Sequence, residues 1–77
     1  MALQKGTALW RVEIREIEGE GEHAHPTLLA CYRAFHLTGQ GAIERALRRL
    51  PSGSRRRATH ATAVRTSDGA LAYWNVE

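Results

Sequence analysis

The chain carries almost nothing that could staple it together. Cys31 is the only cysteine among 77 residues, which excludes an internal disulfide and a structural zinc site of the multi-cysteine kind. No apolar run approaches the roughly 18 residues from which a membrane-spanning helix is read, and no secretory-leader pattern opens the sequence. The expectation is a soluble, cytoplasmic protein with no membrane partner.

Catalytic apparatus is equally scarce. Gly39-Gln40-Gly41 stands before a helical pattern but lacks the lysine of a phosphate loop. Ser52 and Ser54 have no local histidine base, and the carboxylates are strung among glycines where nothing would raise a pKa. His23 and His25 form an H-x-H pair without a third ligand at a fitting distance in sequence, and His36 and His60 lie far off. No catalytic residue, cofactor or metal is expected, and the chain reads as a non-enzyme.

What is present fits one small domain spanning residues 1–77. A chain of this size buries only about 60% of its unfolded surface, so a second copy in a homodimer would be a natural source of extra stability. Ile43, Ala46, Leu47 and Leu50 recur at i, i+3, i+4 and i+7, and this predicts an amphipathic helix from Gly39 that Pro51 and Gly53 stop. Trp10, Val12 and Ile14 alternate with Arg11, Glu13 and Arg15, the period of a half-buried strand, with Trp10 as a core anchor. Ile17 breaks that phase, so a bulge or the strand's end belongs there. Met1 to Gly6 reads as a loose lead-in, and Glu16 to His25 as a mobile acidic loop.

Pro26 to Thr38 reads two ways. As a helix it would begin at Pro26 and align Leu28, Tyr32 and Phe35. As a strand, Leu29, Cys31, Phe35 and Leu37 face one way and Ala30, Tyr32, Ala34 and His36 the other, with Arg33 intruding on the apolar set. The strand is preferred, because it pairs with the first strand and leaves Thr38 as N-cap of the helix. Cys31 is then a small core residue. Ala58 to Thr66 and the segment ALAYWNV form two further strands around an Asp68-Gly69 turn. Tyr73 and Trp74 must point to opposite faces of the last strand, one into the core. The fold class is α+β, a small antiparallel sheet with one helix on a face, in β-β-α-β-β order.

Charge is unevenly placed. Residues 1–38 hold four basic and five acidic groups, residues 39–77 seven basic and three acidic. Arg45, Arg48 and Arg49 lie on the polar side of the helix, and Arg55, Arg56 and Arg57 begin the following strand. Brought together, these six guanidinium groups would make a patch suited to phosphates and carboxylates alike. Nucleic acid would bind it non-specifically and with steep salt dependence.

The passage FHLTGQGAIERALRRL (residues 35–50) and the terminal hairpin TAVRTSDGALAYWNVE (residues 62–77) resemble, in architecture, small proteins of phages and mobile elements, the anti-CRISPR proteins among them. The resemblance implies a non-enzymatic inhibitor that binds a bacterial CRISPR surveillance complex and interferes with target DNA binding. Because this chain is basic where a DNA mimic would be acidic, its arginines would grip an acidic subunit surface or nucleic acid within the complex. The alternative is an accessory protein that binds nucleic acid through the arginine patch.

Overall fold

The computed structural model describes residues 6–76. Two long strands, β1 (Ala8–Glu18) and β2 (His25–His36), lead into helix α1 (Gly39–Arg49) and a short helix α2 (Ser52–Arg57), and strands β3 (His60–Arg65) and β4 (Leu71–Asn75) follow. All pairings are antiparallel and the sheet order is β2-β1-β3-β4. Since β2 and β3 both oppose β1, they run parallel to each other, and the helical segment crosses one sheet face to join them. The α+β class and the antiparallel sheet stand as expected, but two helices separate the hairpins, where the sequence suggested one.

Several segments differ from their sequence reading. Arg55, Arg56 and Arg57 do not begin a strand: Pro51 occupies the N-cap of α2, its carbonyl accepts from the Arg55 amide at 2.9 Å, and the three arginines form the last turn. Proline fixes φ near −65°, a good lead into a helix, so the residue that ends α1 also starts α2. Most of the acidic stretch is ordered secondary structure. β1 runs on through Glu18, and a single 3₁₀ turn, Gly21–His23, precedes β2. The pairing of Glu16, Ile17 and Glu18 with Thr27, Pro26 and His25 explains this, because the partner strand satisfies their backbone groups. The irregularity lies in β2: the register steps from Ile14↔Ala30 to Arg15↔Leu28, leaving Leu29 as the extra residue of a bulge.

The preferred reading of residues 26–38 as a strand holds, with the burial of its faces reversed. Ala34 is buried and Ala30 and Tyr32 half-buried against the helix, while Cys31, Arg33 and Phe35 are exposed. Cys31 is therefore no core residue, because no second layer among the described residues covers its face. Thr38 caps α1 as expected, its Oγ1 accepting from the Gly41 amide at 3.0 Å.

The core lies between α1 and one face of the sheet. Trp10, Val12 and Ile14 from β1 meet Ala42, Ile43, Ala46 and Leu50, flanked by Ala34, Ala61 and Ala63. The small side chains let the helix sit close. Gly39 marks one close approach: a Cβ there would overlap that of Ala72 and come within 2.9 Å of the Trp10 ring. Trp10 Nε1 donates to the His36 carbonyl at 3.1 Å, so the buried indole is satisfied. On β4, Trp74 packs against this core while Tyr73 is 64% exposed.

Candidate functional site

Two surfaces carry the chemistry, the helical arginines and the uncovered sheet face. The six predicted arginines do not act as one set. Arg55 is committed to the fold: its Nε donates to the Leu47 carbonyl at 2.9 Å, and its Nη2 to those of Arg48 and Leu50 at 2.9 and 3.0 Å. These carbonyls lie at the end of α1; that of Leu47 also accepts from the Leu50 amide at 3.3 Å, while those of Arg48 and Leu50 would otherwise lack partners. Arg57 grips Glu16 Oε1 through Nε (3.2 Å) and Nη2 (2.8 Å), tying α2 to β1. That hydrogen bond, with the charge of the same carboxylate, raises the Arg57 pKa further.

Arg45 and Arg49 lean the other way, over the outer edge of the sheet. Arg45 Nη1 reaches the Phe35 carbonyl at 3.4 Å and Arg49 Nη1 the Arg33 carbonyl at 3.5 Å, while the Arg49 guanidinium lies 4.5 Å from the centre of the Tyr32 ring. At the opposite edge Gln40 Nε2 donates to the Tyr73 carbonyl at 2.7 Å. Helix α1 thus covers carbonyls on both edge strands, which would otherwise recruit another chain. Among the described residues, Arg45, Arg48, Arg49 and Arg56 form no ion pair.

The open face was not anticipated as a site. The register places Leu9, Arg11, Glu13 and Arg15 of β1 beside Phe35, Arg33, Cys31 and Leu28 of β2, and beside Val64, Thr62 and His60 of β3. Leu71, Tyr73 and Asn75 of β4 complete it. Leu28, Phe35 and Leu71 are 54%, 48% and 54% exposed. One carboxylate serves the centre: Glu13 pairs with Arg15 and, at 3.3 Å, with Arg11. A groove of about 620 Å³, lined by Leu9, Arg33, Ala34, Phe35, Arg45 and Arg49, wraps the β2 edge. A second, of about 480 Å³, shares Leu9 and Arg33 and adds Arg11, Val64 and Arg65. The signal in sequence was Arg33, which breaks the apolar alternation of β2.

At the β3–β4 turn, Arg65 Nε and Nη2 bind the two Asp68 carboxylate oxygens at 2.8 and 2.7 Å. Together with the Ala70 amide, this pair lowers the Asp68 pKa to about 2. Among the described residues, no cluster of His, Cys, Asp or Glu could hold a metal ion, and no helix is long and apolar enough to cross a membrane. Comparison with protein families, curated proteins and solved structures finds no match to this chain.

Proposed function

We propose that this chain is a non-enzymatic binding protein that docks on a protein partner through its open sheet face. The carrying observation is the composition of that face. Exposed Phe35, Leu71 and Tyr73 surround arginines, and aromatic residues and arginine are enriched where proteins meet. The specific form of the proposal is a phage-type inhibitor of the anti-CRISPR kind, acting in the cytoplasm of a bacterial host on a CRISPR surveillance complex and blocking its target DNA. Arginines set among aromatics favour an acidic subunit surface as the docking point.

A second reading, non-specific nucleic-acid binding, is favoured by Arg45, Arg48, Arg49 and Arg56, which no carboxylate among the described residues neutralises. A mobility-shift experiment separates the two. Labelled single- and double-stranded DNA is run at low and physiological salt, with and without a purified CRISPR effector complex. The inhibitor reading expects no shift by this protein alone at physiological salt and suppression of the effector's shift, lost in Tyr73→Ala. Salt-sensitive binding of DNA by the protein alone, lost on reversing Arg48 and Arg56, would replace it with the second reading.

A further inference from the structure

Arg11 and Arg33 are directly opposed across β1 and β2 on the open face. The Thr66 amide donates to the Leu9 carbonyl at 3.0 Å, so Leu9, and by alternation Arg11, turn their hydrogen-bonding groups toward β3. Arg11↔Arg33 is therefore a non-hydrogen-bonded pair, the type that brings side chains closest. Like charges so placed destabilise a sheet. Among the described residues the Arg33 guanidinium has no hydrogen bond or ion pair, and Arg11 has only its share of Glu13. Both arginines line the same groove over Leu9 and Val64.

We infer that this pair is a recognition site for a carboxylate of an acidic protein segment, seated between the two guanidinium groups with an apolar neighbour against Leu9 and Phe35. The inference rests on the reading of the open face as a protein-docking surface. An anion between the two forks converts a repulsion into two charge-assisted contacts, so a local fault in the free protein becomes an asset in the complex. A second copy of this chain fits poorly, because face-to-face docking would set Arg11, Arg15 and Arg33 against their like. A nucleic-acid strand fits less well than an acidic segment. A phosphate backbone needs free cations in series, and those near the pair are engaged: Arg15 is held by Glu13, and Arg65, which lies over the Trp10 ring, by Asp68.

The test uses the full chain, labelled with nitrogen-15, and two end-blocked peptides. One is rich in glutamate around a single phenylalanine, and the other carries glutamine in place of each glutamate. The acidic peptide is expected to shift the amides of Leu9, Arg11, Arg33 and Val64, and its glutamine counterpart to leave them unmoved. Arg33→Gln should weaken the acidic peptide about tenfold and raise the melting temperature of the free protein by a few degrees. Arg48→Gln should do neither. A fall in melting temperature for Arg33→Gln, or undiminished peptide binding by it, would overturn the proposal. So would shifts confined to α1, or a single-stranded oligonucleotide that binds these residues more tightly than the peptide. Suppression of the effector that needs Tyr73 but is indifferent to Arg33 would remove this inference and leave the inhibitor reading intact. Peptide binding at Arg11 and Arg33 without any effect on the effector would do the reverse.

Discussion

The two faces of this sheet invert the usual expectation about side-chain size. The covered face is built mostly from alanines around Trp10, Val12, Ile14 and Ile43, with Val12, Ile14 and Ile43 fully buried. The open face carries Leu28, Phe35, Leu71 and Tyr73, all larger than alanine and all exposed. Close approach of α1 decides this, since the space beneath it admits methyl groups over most of its area, with large side chains along β1 and, half-buried at the margins, at Tyr32 and Trp74. Size and burial part company here because no second layer among the described residues covers the open face. Covered positions should therefore govern stability, and open positions binding.

The largest effect is expected at the centre of the covered face. Ile43→Ala leaves a cavity beneath the helix and should cost about 2–4 kcal/mol, enough to unfold much of so small a protein, as denaturant melts would show. Next comes Gly39→Ala, which forces a methyl group into Ala72 and Trp10 and should cost about 1–3 kcal/mol by the same melts. Equal stability of this variant would mean that the helix can move off the sheet easily, and the contrast between faces would blur.

Arg55→Ala sharpens the comparison from within the arginine set. It frees the carbonyls of Arg48 and Leu50 and takes one of two donors from that of Leu47, and should lower stability by about 1 kcal/mol. Arg56→Ala, whose native guanidinium makes no hydrogen bond or ion pair among the described residues, should leave melts within about 0.5 kcal/mol. On the open face Tyr73→Ser should also stay within about 0.5 kcal/mol while removing partner binding. The smallest effect is a matter of pH. The Asp68 pKa is about 2 in the folded chain against roughly 3.9 unfolded. Its pairing with Arg65 therefore stabilises the hairpin above pH about 4 and is lost as pH falls toward about 2. Asp68→Asn should be slightly less stable near neutrality and lack that part of the acid dependence.

Much of the fold was legible in the residues. The periodicity of residues 8–14, the stripe Ile43-Ala46-Leu47-Leu50, Thr38 as N-cap and the Asp68-Gly69 turn all correspond to observed elements. Such signals are local: each depends on a few neighbours along the chain. Helix α2 was hidden because Pro51 and Gly53 read as breakers, although a proline that ends one helix can cap the next. The arginines of the site were visible as a composition, but their separate tasks were not. Arg55 and Arg57 could not be told from Arg48 and Arg56 until Leu47, Leu50 and Glu16 were brought beside them.

The sequence by itself determined β1, α1 and the final hairpin, because strand alternation, helix periodicity and capping are written in adjacent residues. Only the tertiary structure decided which face of β2 is covered, that Tyr73 and not Trp74 is exposed, and that Arg11 stands opposite Arg33. Those outcomes depend on register and on where the crossing helix lands. Both arise from contacts between residues far apart in the chain, which no local pattern encodes.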